Sequence, residues 1–149
     1  MKNIRITIEF SQDGLIVAKN FILNYDAKKD NGYVCHQDWG DLIIPLANAE
    51  EVYPYYFTFM QKQEKLRKKY LVIYAVNENE ALKVVRKALN EDWASCYDES
   101  EWHYTKGSPM YNTALYYGLI DAKESPDIVS QADVYQLTEV TLEQAKVLK

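Results

Sequence analysis

The run Tyr70-Leu71-Val72-Ile73-Tyr74-Ala75-Val76 is apolar on both of its alternating faces. A chain containing it must cover it from two sides, which predicts a central strand of a sheet. The residues that follow narrow the choice further. Asn77 stands at a helix start with Glu80 three positions on, the spacing of a capping box, and Val76 and Ala81 are placed to form a staple. Beyond them Ala81, Leu82, Val84, Val85, Ala88 and Leu89 make one stripe, while Lys83, Arg86, Lys87 and Asn90 face water. A strand feeding an amphipathic helix near 78–92 is therefore expected, with the helix lying on the sheet.

The flanking segments extend this unit. Ile4, Ile6, Ile8 and Phe10 alternate with Arg5, Thr7 and Glu9, the pattern of a half-buried strand. Asp13-Gly14 is a turn signal, and Leu15-Ile16-Val17 reads as the returning arm of an N-terminal hairpin. Residues 21–25 are apolar without a clear period. Asp26 to Gly32 reads as a solvated loop, by composition and by its Asn-Gly step. Leu42-Ile43-Ile44 is a short buried segment. Asn48 with Glu51 predicts one helical turn stopped by Pro54, and Tyr55–Phe59 a strand running into a polar connection.

Ser108-Pro109, a cap followed by proline, opens a helix near 109–118 with Met110, Tyr111, Ala114, Leu115 and Gly118 on its packing face. Asp121 to Ala132 reads as a polar loop, and 133–140 as a C-terminal strand. Thr141 with Gln144 repeats the capping-box spacing before a short terminal helix. The expected fold is a single α+β domain over residues 1–149. Its mainly antiparallel sheet comprises the N-terminal hairpin, the strand near 70–76 and the strand near 133–140, covered by helices near 78–92 and 109–118.

Composition excludes several function classes. Two cysteines without a CxxC pair make no disulfide framework. No apolar run approaches the ~20 residues of a membrane span, and the N-terminus lacks a signal-peptide core, so no membrane association and a cytoplasmic location with reduced thiols are expected. Net charge −5 argues against nucleic acid as partner. The run Lys62, Lys65, Arg67, Lys68 and Lys69 reads as a solvated connection rather than a phosphate-binding surface.

Chemistry-bearing side chains concentrate in two segments, 33–41 and 93–104, which hold both cysteines, both histidines and all three tryptophans. Cys35, His36, Cys96 and His103 could be counted as a zinc set, but structural zinc ligands come as close pairs, so neither metal nor cofactor is expected. A cysteine nucleophile would need its histidine and a carboxylate from elsewhere in the fold. No local nucleophile signature, GxGxxG, P-loop, HExxH or GxSxG occurs.

The segment after the helix mixes Trp93, Tyr97, Trp102, His103 and Tyr104 with Asp98, Glu99 and Glu101, aromatic anchors inside a charged rim. This composition predicts a small, acidic, non-catalytic binding or inhibitor protein that uses an exposed acidic-aromatic loop to engage a partner protein with a basic surface. A mobile-element (phage) accessory protein antagonising a host nuclease or other nucleic-acid-handling system fits the size and acidity. The competing expectation is a small-molecule-binding protein or Cys/His-dependent hydrolase, its pocket formed by Cys35, His36, Asp38 and Trp39 together with 93–104.

Overall fold

The computed structural model describes residues 2–120 and 126–148. The fold is α+β with mostly antiparallel strand pairing. Its backbone packing separates two compact units, residues 1–53 with 74–77, and residues 54–73 with 78–149.

The N-terminal alternation forms β1 (Lys2–Ile6), in which Ile4 and Ile6 are fully buried. The alternation in the sequence outlasts the strand, and Ile8 is exposed. β2 (Phe10–Gln12) and β3 (Leu15–Val17) form a hairpin at the expected turn, with Ser11 opposite Ile16, but as a two-stranded sheet of their own rather than as part of the main sheet. Asp13 and Gly14 both take positive φ, as a two-residue turn requires. β4 (Ile22–Tyr25) then pairs antiparallel with β1.

The loop expected at 26–32 is instead a hairpin arm. β5 (Ala27–Lys29) returns as β6 (Gly32–Gln37), which turns into β7 (Gly40–Ile44). The Asn-Gly step marks the turn, but the polar residues before it still pair, because an antiparallel edge strand tolerates a wet face. Gly32 has a second role. A Cβ at this position (φ 146°) would sit 2.2 Å from the Ile44 carbonyl oxygen, so β6 reaches β7 here only as glycine.

The helical turn expected after Asn48 is displaced upstream. A 3₁₀ turn at Leu46–Asn48 passes directly into β8 (Ala49–Thr58), whose first residues pair with β1. Ile4, Ile6, Val17, Tyr25, Tyr33, Cys35, Leu42 and Ile44 make the core of this unit.

β9 (Lys69–Ala75), most of it in the second unit, forms where the central strand is expected and lies between β8 and a two-residue strand near the C-terminus, with Leu71 and Ala75 buried but Tyr74 exposed. The polar connection before it is pinned by the buried Leu66. α1 (Glu78–Leu89) starts directly after Asn77 and stops short of Trp93, because Asn90 takes a left-handed conformation (φ 56°) that ends the helix. Its buried residues are Ala81, Val85 and Leu89, a narrower stripe than the sequence pattern, and Val84 is exposed.

The residues after α1 are structured. β10 (Ser95–Tyr97) pairs with the second half of β8 and leads into α2 (Glu99–Trp102) and β11 (His103–Thr105). Pro54 does not break β8. It falls between residues 49–52, paired with β1, and 56–58, paired with β10, where the partner strand changes. α3 (Pro109–Tyr116) opens as expected, its Ser108 cap accepting from the Tyr111 N–H.

Residues 121–125 of the expected polar loop lie outside the described residues. Farther along, that loop contains β12 (Ile128–Ser130), paired with β11, and the first residues of α4 (Gln131–Tyr135). The strand expected near 133–140 is correspondingly reduced to β13 (Thr138–Glu139), parallel to β9. A capping box between Ser130 and Asp133 starts α4 and overrides the strand formers Val134 and Tyr135. The Thr141–Gln144 box opens α5 (Leu142–Leu148) through reciprocal bonds of 2.9 and 3.1 Å. Among the described residues no helix is long and apolar enough to cross a membrane.

Candidate functional site

The segments 33–41 and 93–104 fall in different units, the first in residues 1–53 and the second in 78–149. Strand alternation organises the second one. The β10–β8 register sets Tyr97 opposite Tyr56 and Cys96 opposite Phe57, so the tyrosines share one sheet face and Cys96 takes the other.

Trp102, at the end of α2, closes over the tyrosines. Its ring stacks on Tyr56 at 4.7 Å and 5°, with Tyr70 at 5.1 Å and Tyr97 at 5.7 Å. Only 1% of Trp102 is exposed. This corrects the expectation of an exposed anchor: the indole is desolvated inside its own fold, where ring pairs of this geometry add to area burial. Tyr56 and Tyr70 are the partners that local sequence could not identify, because they come from two other strands.

α2 is a single turn, yet firmly set. Asp98 accepts from the Glu101 N–H at 2.8 Å and from the Ser100 hydroxyl at 2.7 Å, and its own N–H donates to the Glu101 carboxylate at 3.0 Å. The Ser100 hydroxyl, followed by the Glu101 N–H, holds the Asp98 carboxyl below the usual range. Asp98 is thus a structural cap, while Glu99 and Glu101 project to solvent. His103 is half-buried. Its Nδ1 lies 2.8 Å from the Glu99 carbonyl oxygen, so Nδ1 carries the proton in that bond and Nε2 faces away from it. Glu99, Ser100, His103, Thr105 and Ile128 line an open groove of about 590 Å³.

Trp93 and Tyr104 serve packing. Trp93 meets Phe57 edge-to-face at 5.5 Å, lies under the Arg86 guanidinium at 6.0 Å, and buries its indole N–H without a hydrogen-bond partner among the described residues. Tyr104 packs against the Tyr111, Ala114, Val129 and Val134 cluster, and burial raises its phenol pKa. Cys96 is half-buried. Burial, and then the Glu78, Glu101 and Asp98 charges, push its thiol up to about 12, so it holds no thiolate at neutral pH.

In the first unit β6 points Cys35 inward and His36 outward, so these neighbours cannot form a catalytic pair with each other. Cys35 is fully buried, and burial raises its thiol pKa. The exposed His36 is flanked by carboxylates: Nδ1 lies 2.5 Å from Asp41 Oδ1, and the backbone N–H donates to Asp26 at 2.9 Å. Asp38 and Trp39 sit exposed at the β6–β7 turn. Among the described residues no group of three or more His, Cys, Asp or Glu is placed to hold a metal ion.

What the second segment offers chemically is the exposed carboxylates of Glu99 and Glu101, the latter held by the Asp98 N–H, beside a groove lined by His103 and Ile128. No protein-family model, curated protein or solved structure matches this chain.

Proposed function

We propose that this chain is a non-catalytic binding protein that recognises a basic partner surface through α2 and the groove beside it. One observation carries the reading. Glu99 and Glu101 stand exposed on a turn held by a closed capping box above the buried Trp102 stack. The Glu101 carboxylate, held by the Asp98 N–H, loses little side-chain freedom on binding, and the two exposed charges would steer a cationic partner towards the groove. The elevated thiol pKa values weigh against a cysteine hydrolase. The partner class is a protein with a lysine- and arginine-rich surface, such as the nucleic-acid groove of a nuclease, which the chain would block as an inhibitor. A cytoplasmic phage accessory protein is the setting this proposal favours.

The test uses Glu99→Lys with Glu101→Lys and leaves the cap Asp98 intact. Wild type and double variant serve as baits for lysate proteins, and the captured partner is then measured by association kinetics at two salt concentrations. The double variant, which keeps the Asp98 cap but loses the Glu101 half of the box, is expected to stay folded with a slightly lowered melting temperature and to associate roughly 10-fold or more slowly at low salt, with a flatter salt dependence. Unchanged kinetics would remove α2 from the binding surface.

A further inference from the structure

β4 ends its sheet, with β1 on one side only. Three hydrogen bonds fix which of its backbone groups that pairing uses. Ile6 donates to the Phe21 carbonyl at 2.9 Å and accepts from the Asn20 N–H at 2.7 Å, so the even-numbered residues of β1 aim their N–H and C=O groups at β4. In the register Lys2 with Tyr25 and Ile4 with Leu23, it is Leu23 and Tyr25 that bond to β1. Ile22 and Asn24 aim theirs the other way. Asp26, next in that alternation, donates outward to the Val34 carbonyl of β6 at 2.8 Å.

Past that bond the two strands splay. A regular antiparallel ladder would next join Asn24 to His36, but the His36 N–H donates instead to the Asp26 carboxylate at 2.9 Å. The splay leaves a groove of about 470 Å³ lined by Ile22, Leu23, Asn24, Tyr25 and Asp26 and by His36 and Gln37. The unit blunts other strand edges. On β7 the Gln12 amide donates to the Asp41 carbonyl at 3.3 Å and accepts from the Ile43 N–H at 3.2 Å, taking the place of a neighbouring strand. β5 carries exposed Lys28 and Lys29, side chains that discourage strand pairing. The outer edge of β4 has neither device.

Hydrogen-bond complementarity identifies what fits this edge. A donor and an acceptor at Ile22 and again at Asn24, about 6.8 Å apart, match the backbone of another strand. A helix has already spent those groups internally. His36 and Gln37 flank the edge where a second folded sheet would have to continue, so the groove suits a single extended segment. Its cross-strand neighbours would be Ile22 and Asn24 on one face and Leu23 on the other, which favours β-branched guests. We infer that the outer edge of β4 is a strand-addition site, taking an extended segment of a partner protein hydrogen-bonded to Ile22 and Asn24. The inference does not depend on the reading of α2, which lies in the other unit.

The full chain is titrated with an end-capped peptide of about six residues, alternating threonine and valine between terminal lysines, while backbone amides are followed by NMR. The peptide is expected to shift the Ile22 and Asn24 amides and slow their hydrogen exchange about 10-fold or more, leaving Leu23, already held by β1, as it was. The same peptide with N-methyl groups on its central backbone nitrogens loses donors from both of its edges and should bind about 10-fold more weakly. Asn24→Pro removes an N–H that faces the groove and none that bonds to β1, a substitution an edge strand tolerates. It should keep the Leu23 and Tyr25 amides protected and weaken peptide binding about 10-fold.

Shifts confined to 98–105 would overturn this inference while leaving the α2 reading standing. No shift at Ile22 or Asn24 up to millimolar peptide would overturn it as well. So would undiminished binding by the N-methylated peptide, which would mean that side chains alone are read, or by folded Asn24→Pro. Protection of Ile22 and Asn24 that grows with protein concentration, without peptide, would assign the edge to a second copy instead.

Discussion

Trp102 and His36 show how one side chain's surroundings reverse its meaning. As a sequence letter Trp102 suits an interface anchor, but stacked on Tyr56 and touched by Tyr70 and Tyr97 it belongs to the core. Trp102→Ala should therefore destabilise the protein by about 3–5 kcal/mol through the cavity it leaves, and chemical denaturation measures this. A variant as stable as wild type would show that the stack contributes nothing.

His36 makes a pH prediction. Its hydrogen bond to Asp41, with the Asp26 and Asp41 charges adding, favours the imidazolium, so its folded pKa lies above the ordinary 6.5. The stabilisation is fully present below the unfolded pKa and is lost as pH rises through the folded value. His36→Gln should melt below wild type near about pH 5.5 and converge with it near about pH 8.5. An equal gap at both values would sink the idea.

At the scale of elements, caps and partners decided what periodicity left open. α1 shows the two signals agreeing in type and differing in extent, since Asn90 ends it and only Ala81, Val85 and Leu89 are buried. Substitution separates the true stripe from the apparent one. Val85→Ala should cost about 2 kcal/mol by thermal or chemical melting, whereas Val84→Ala should stay within about 0.5. Equal costs would mean that α1 is rotated about its axis. At the C-terminal end the Ser130–Asp133 box converts strand-forming residues into α4 and leaves β13 with two residues. Local hydrogen-bond chemistry outweighed β-propensity there, which is a weak preference set by neighbours.

For the whole molecule, the two cysteines are natural probes because each unit contains one. Cys35 is fully buried, and Cys96 is half-buried with its thiol pushed up to about 12. Iodoacetamide at neutral pH should label both at least about 100-fold more slowly in the native protein than in denaturant. Each thiol becomes reactive only as its own unit opens, and mass spectrometry distinguishes the two peptides. Rapid labelling of native Cys96 would contradict its placement on the inner face of β10 and revive a thiol-based chemistry.

Local order was largely legible in the residues themselves. The N-terminal hairpin, the central strand, α1, α3 and α5 all carry their own period, turn or cap, interactions that span a few positions and need no partner. The candidate site was legible only as composition. Residues 93–104 announce aromatics and carboxylates, but whether an indole faces water or a tyrosine stack depends on β8 and β9, dozens of positions away. Asp98 as cap, with the exposed Glu101 closing the same box, follows from one turn's hydrogen bonds. The exposure of Ile8, Ile16 and Trp39 likewise comes from where β1 stops and where the hairpins are clamped. Apolar periodicity marks which side chains suit burial. Only the supply of opposing surface, which tertiary packing sets, decides which of them are buried.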